Sequence, residues 1–150
     1  MSWGSTVPTT LTALVTMFGA ASPVTLVFNG PTLTAEPWTE AVTVGSPDAQ
    51  TPNAAEGVWQ VEGMAPVPSR EQYTVNCLLE VLSGADDQTV DRARLFTIFN
   101  LYGAALATDP TLGGTVLSAR MGVFALREIP ADVSSTQLQF GVLVDAYTTI

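Results

Sequence analysis

Asp86-Asp87-Gln88-Thr89-Val90-Asp91-Arg92-Ala93-Arg94 opens the stretch on which the reading of the fold turns. It runs on to Ala107-Thr108, stops at Asp109-Pro110-Thr111-Leu112-Gly113-Gly114, and passes at once into a strand-like run from Thr115 to Ile129. Acidic residues at the front suit a helix N-terminus, where free N–H groups and the positive dipole end attract negative charge. Asp86-Asp87 is therefore read as capping rather than as a metal-binding carboxylate pair. Asp109-Pro110 ends the helix, because proline disfavours helical geometry in the residue before it and donates no N–H. Gly113-Gly114 permits the sharp turn into the strand. Since that pair opens a strand rather than a helix, it is not a phosphate-binding loop.

The helix between these signals is apolar over most of its circumference. Val90, Ile98, Leu101, Ala104 and Ala105 make one stripe; Leu95, Phe99, Tyr102 and Leu106 make a second, with Phe96 beyond it. Such a helix must be covered on two sides. A sheet covers one, and the first helix or a neighbouring subunit covers the other.

Outward from the helix, the strand signals are strongest nearby. Leu138, Phe140, Val142, Val144 and Ala146 alternate with Gln137, Gln139, Gly141, Asp145 and Tyr147. The turn-rich Pro130-Ala131-Asp132 lets this strand pair antiparallel with the run before it. On the other side, Tyr73, Val75, Cys77, Leu79 and Val81 form the core face of a half-buried strand within Gln72–Leu82. Cys77 has no histidine, lysine or second cysteine nearby and reads as small apolar filler. Leu11, Leu14, Val15 and Phe18 mark an amphipathic first helix, capped by Thr6 or Thr9 and ended by Ser22-Pro23. Val24 to Phe28 is a strand closed by Asn29-Gly30-Pro31.

Between Pro31 and Pro68 lie six of the ten prolines. Two short strands, Ala41–Val44 and Val58–Val61, sit in this excursion, which reads as a loop or a β-hairpin leaving the sheet. The loop from Gly45 to Gly57 is either a contact device or a surface insertion. The fold class is α+β: one domain over residues 1–150, a mostly antiparallel sheet with two helices on one face, and the proline-rich excursion at 31–68.

Composition narrows the function. Hydrophobic residues make up 47% and charged residues 13%, which excludes general disorder. Fourteen acidic residues face five arginines, with no lysine or histidine, for a net charge of −9. A phosphate-gripping surface needs clustered cations, so neither specific nucleic-acid binding nor adhesion to an anionic membrane fits. The apolar run Leu11–Ala21 is too short to span a bilayer, and no basic residue precedes Arg70 to make a signal-peptide n-region. The expectation is a soluble protein acting in the compartment where it is made, or in a particle assembled there. Without histidine, and with no base beside any serine or aspartate, an enzyme is not expected; neither is a metal or cofactor. Arg92 and Arg94, about 160° apart around the helix, are expected to pair with carboxylates inside the protein or across an interface. Trp3, Trp38 and Trp59 lie outside the periodic elements, as core or as interface anchors.

The C-terminal half resembles the tail terminator (tail completion) proteins of long-tailed, siphovirus-type bacteriophages, especially those of actinobacterial hosts. The resemblance is carried by Arg92-Ala93-Arg94-Leu95 and by Ala107-Thr108-Asp109-Pro110-Thr111-Leu112-Gly113-Gly114 with the strand after it. The strand Leu138-Gln139-Phe140-Gly141-Val142-Leu143-Val144 completes it, so that it spans roughly Gln72 to Ile150 plus a compatible first helix. It implies a virion protein assembled in the host cytoplasm: a subunit of a hexameric ring on the head-proximal end of the tail tube. Such a ring stops tube polymerisation and meets the tail tube protein on one side and connector or stopper proteins on the other. DNA passes through its lumen without specific binding, which an acidic lining favours. Arg92, Arg94, Asp109, Pro110, Leu112, Gly113 and Gly114 are its motif positions; Trp38, Trp59, Phe96 and Phe99 are the candidate interface residues. The alternatives are a head–tail connector or stopper, a tail tube protein (against which the long helix argues), and a small non-catalytic ligand-binding domain with a closed apolar pocket.

Overall fold

The structure, a computed structural model, describes residues 3–31, 39–45, 53–82, 88–129 and 135–149. Its elements in chain order are α1 (Val7–Ala21), β1 (Leu26–Asn29), β2 (Glu40–Val44), β3 (Ala55–Gln60), β4 (Arg70–Val81), α2 (Gln88–Thr108), β5 (Ser118–Ile129) and β6 (Ser135–Tyr147). Six strands form one sheet in the order β1-β2-β4-β6-β5, with β3 also on β4. Every pairing is antiparallel except β1 with β2. The α+β class expected from the sequence is the class observed.

Both helices lie on one face of the sheet. The alternating rows of β4 (Val75, Cys77, Leu79) and β6 (Leu138, Phe140, Val142) supply its floor. From α1 come Leu14 and Phe18; from α2 come Leu95, Ile98, Tyr102 and Leu106. Aromatic contacts join the three layers: Phe18 stacks on Tyr102 at 4.3 Å, and both Phe18 and Phe99 meet the ring of Phe140 edge-on. Of the two stripes read on α2, the second is the buried one, and Ile98 belongs with it. Val90 and Leu101 of the first stripe remain exposed. The covering helix reaches only part of that side.

The excursion differs from its reading as a hairpin off the sheet. β2 and β3 do not pair with each other; both lie along the same edge of β4, β2 beside residues 77–81 and β3 beside residues 70–75. Asn76 stitches the junction, its N–H donating to Ala54 O, its C=O accepting from Gly45 N and its side-chain amide donating to Asn53 O. β3 therefore begins at Ala55, inside the expected loop. The hairpin is instead β3 with β4, and their backbones approach so closely at Gly57 that a Cβ there would sit 2.1 Å from Gln72 O. Only glycine fits that contact.

β5 begins at Ser118 rather than Thr115, because residues 109–117 form a longer turn than two glycines imply. Its register on β6 slips between Met121 and Phe124, a bulge opposite Gly141. Asp86-Asp87, Trp38, Pro130-Ala131-Asp132 and residues 46–52 of the expected loop lie outside the described residues.

Candidate assembly surface

The motif positions at the end of α2 build one compact joint. Asp109 folds its carboxylate back to accept the Gly113 N–H at 2.9 Å and the Thr111 hydroxyl at 3.4 Å. Leu112, Gly113 and Gly114 all take positive φ, at 51°, 70° and 87°. For Leu112 that conformation costs on the order of 1 kcal/mol. Its side chain is 5% exposed, and burying a leucine returns about 2 kcal/mol, so packing wins. Pro110 contributes its carbonyl, which accepts the Ala119 N–H at 2.7 Å. The joint thus stands outboard of the first residues of β5.

Arg92 and Arg94 are divided as their spacing implies. Arg92 bonds Glu128 on β5. Arg94 grips both oxygens of Glu40 on β2, at 2.5 and 3.1 Å. Thr25 donates to the same carboxylate at 3.4 Å, and the pair ties α2 to the strand beside α1. The candidates Phe96 and Phe99 are half-buried: they touch each other edge-on, and Phe99 also covers Phe140.

Trp59 belongs to a polar network that sequence reading missed. Its centre is Glu71, a carboxylate 1% exposed, on the helix-facing side of β4. Glu71 accepts from Thr6 N at 2.6 Å, Thr6 Oγ1 at 2.5 Å, Ser5 Oγ at 2.7 Å and Trp59 Nε1 at 3.0 Å. Tyr73 and Thr10 extend the chain of hydroxyls. Thr6 is the N-cap position of α1, yet its hydroxyl does not cap the helix; the carboxylate of Glu71 does so from across the fold, where the dipole favours it. Burial pushes the Glu71 pKa up, but the bonds from Thr6, Ser5 and Trp59 outweigh burial and hold it below the usual carboxylate range. Trp3 packs edge-on against Trp59 at 5.4 Å and donates to Pro68 O. Trp59 is thus an anchored side chain with its outer surface, 59% of it, in solvent. The only sequence signal for Glu71 was an acid directly preceding an alternating core row.

The sequence also hid the edge of β5. Val123 is 72% exposed and Phe124 65%, with Leu126 partly open beside them. Arg120 and Arg127 lie on the same strand, and among the described residues neither forms a salt bridge, whereas Arg70, Arg92 and Arg94 each do. The run Val123-Phe124-Ala125-Leu126, apolar without alternation between two arginines, was the available signal for a bulged edge strand.

Elsewhere, Cys77 is buried and its thiol pKa is pushed up to about 12 by that burial, so it stays protonated. An open apolar groove of about 690 Å³ lies between α1 and α2, lined by Met17, Leu101, Ala104 and Leu112 among others. No helix among the described residues is long and apolar enough to cross a membrane. No protein-family model matches the chain, and no curated protein matches it.

Proposed function

We propose that this chain is a ring-forming subunit at the head-proximal end of a long-tailed phage tail tube, where it ends tube growth and joins the tail to the head connector. The observation that carries the reading is the apolar edge of β5, beyond which no strand lies among the described residues; a neighbouring subunit would complete that surface. The resemblance over Arg92–Gly114 supports it, and its motif positions have structural work to do: Arg94 fixes α2 to β2, and Asp109–Gly114 sets the start of β5. Charge supports it as well. Three of the five arginines are neutralised by Asp145, Glu128 and Glu40, leaving a surface dominated by acid, past which DNA slides rather than sticks. The apolar concavity between α1 and α2 is an open groove, unlike the closed pocket of a hydrophobic-ligand carrier.

The test is electron microscopy of lysates from a phage lacking this gene. Overlong, unattached tubes beside DNA-filled heads are the expected result. Free tails of normal length beside empty heads would place the protein among connectors or stoppers, and the absence of any tube would make it the tube subunit.

A further inference from the structure

The outward surface of the helix layer is uncharged, unlike most of this acidic chain. α1 has no charged residue, and α2 has none from Leu95 to Thr108. Among the described strands only the four-residue β1 shares that property. The hydroxyls on the layer are occupied internally. Thr12, Thr16, Thr97 and Thr108 each donate to the carbonyl four residues back, at 3.2, 3.1, 2.9 and 3.0 Å. All four residues are exposed, yet their donors need no water, so covering them costs less than covering free hydroxyls.

The layer also has a shape that fits itself. α1 runs from the level of Glu71, which holds Thr6, to that of Glu40, which holds Thr25. α2 starts beside Glu40 and ends where Pro110 O meets Ala119, level with Tyr73 and close to Glu71. The helices are therefore antiparallel. The groove of about 690 Å³ between them is walled by Ala13, Met17 and Ala20 on one side and by Leu101, Ala104 and Thr108 on the other. These fall at i, i+4, i+7 and at i, i+3, i+7, so each wall is one helical face. Walls this small admit a third helix at close range. The ridge of α2 beside the groove, Thr97, Leu101, Ala104 and Thr108, is exposed throughout. A two-fold axis parallel to α2, set between ridge and groove, carries each copy's α2 into the other's groove at the same time.

We propose that the helix layer docks a second copy of this chain in a symmetric dimer, α2 of each seated between α1 and α2 of the other. Charge selects the copy. At a net charge of −9, two chains repel over most approaches, and on this face that repulsion is least. A basic partner would be held by the acidic surfaces instead. The two uncharged helices span about 20 Å by about 20 Å, short of the roughly 800 Å² a side of a standard interface. The dimer is therefore weak and reversible. It goes beyond the ring reading and does not depend on it, since a two-fold contact closes after two chains.

A charge swap at Leu101 tests it. With the axis along α2, equal residues of the two copies lie at equal heights, so Leu101 meets Leu101 of the second copy. Leu101→Glu and Leu101→Arg are made in the full chain carrying Val123→Glu, which closes the β5 edge to association. Both positions are exposed, at 42% and 72%, and circular dichroism checks that each variant folds. In sedimentation over a concentration series the chain with Leu101 intact dimerises, and each Leu101 variant alone dimerises at least about tenfold more weakly. An equimolar mixture of the two recovers a dimer of one of each, because opposite charges now face each other across the axis. A chain with Leu101 intact that stays monomeric to roughly 0.5 mM overturns the proposal. So do variants that dimerise undiminished, or a mixture without recovery. A monomer that floats with phosphatidylcholine vesicles assigns the face to a lipid surface and overturns it as well.

Discussion

Beside β4 the sheet is finished by short strands, each pinned by side chains: β3 by Trp59 on Glu71 and Asn76 on Asn53, β2 by Glu40 under Arg94. On the other side it ends in β5, twelve residues long and bulged, held from the helix layer by Arg92 and Glu128. Only the first of these sides invests buried polar groups in fixing its outline. A carboxylate such as Glu71, 1% exposed and bonded by four donors, costs heavily if any partner moves, so it specifies one arrangement. The β5 edge carries no such constraint. It shows apolar side chains and, among the described residues, no strand beyond it, the features by which edge strands recruit further strands. On the ring reading proposed above, the difference separates the part of the molecule that must be right before assembly from the part that assembly would complete.

The comparison breaks most directly at Glu71. Glu71→Ala leaves the Thr6 N–H and hydroxyl, the Ser5 hydroxyl and the Trp59 indole without this acceptor, and leaves the N-terminus of α1 with the weaker bond from Val7 N–H to Ser5 Oγ. Chemical denaturation should show a loss of about 3 kcal/mol. Loss of β3 pairing should accompany it, read as faster amide exchange at residues 70–75. A loss under about 1 kcal/mol would mean that the pinned side is not held by this network.

Acid should loosen the Glu71 network and the surface ion pairs together. The Glu71 pKa lies below its ordinary 4.5 in the folded chain. Asp145 lies below its ordinary 3.8, chiefly through its bonds to Arg70, and Glu128 below 4.5 through Arg92. For each, the folded state holds the proton less tightly than the unfolded state. Their contribution is complete above the ordinary values and drains away as pH falls through the folded ones. Glu80 runs the other way, raised by burial, so its contribution is present in acid and is lost as pH rises. Thermal melting between pH 6 and pH 2 should therefore decline steeply below about pH 4.5. Glu71→Gln should flatten that decline; an unchanged slope would assign it to the surface pairs.

A smaller and more local effect is expected at the joint of β2 and β3. Asn76→Ala removes the amide bond to Asn53 O but keeps both backbone bonds, costing on the order of 1 kcal/mol. Exchange should quicken at Gly45 and Ala54–Ala55 while the β4–β6 ladder stays protected. Uniform loss of protection would mean that β2, β3 and β4 open as one unit.

Periodicity made the centre of this fold readable, because β4, β6 and α1 each bury one regular face: Val75-Cys77-Leu79, Leu138-Phe140-Val142, Leu14-Phe18. Turn chemistry did the same for the end of α2, where Asp109, Pro110 and the glycines have few alternatives. The partition of Arg92 and Arg94 followed from helical geometry, although their partners, Glu128 and Glu40, lie 36 and 54 residues away and nothing local names them. The misreadings share a cause. Whether β3 pairs with β2 or β4, whether Glu71 caps a helix, and where β5 stands in the sheet are all long-range pairings. Short strands such as Ala55–Gln60, with a glycine at their closest contact, carry almost no period of their own. The exposed apolar edge of β5 was hidden for a related reason, since an exposed strand and a covered strand can share the same apolar composition.

The smallest effect on the folded chain is expected at Val123. Its side chain is 72% exposed on an outer strand of the sheet. Val123→Thr keeps the β-branched shape and the strand preference, exchanging one methyl for a hydroxyl that water satisfies. Unfolding free energy should stay within about 0.5 kcal/mol of the unaltered chain. Self-association, measured by sedimentation over a concentration series, should nevertheless weaken, because the hydroxyl must be stripped of water when a second copy covers it. A change in stability without a change in association would reverse the comparison, making the β5 side part of the folding core. A change in association alone is the signature of an edge whose apolar surface exists for a neighbour.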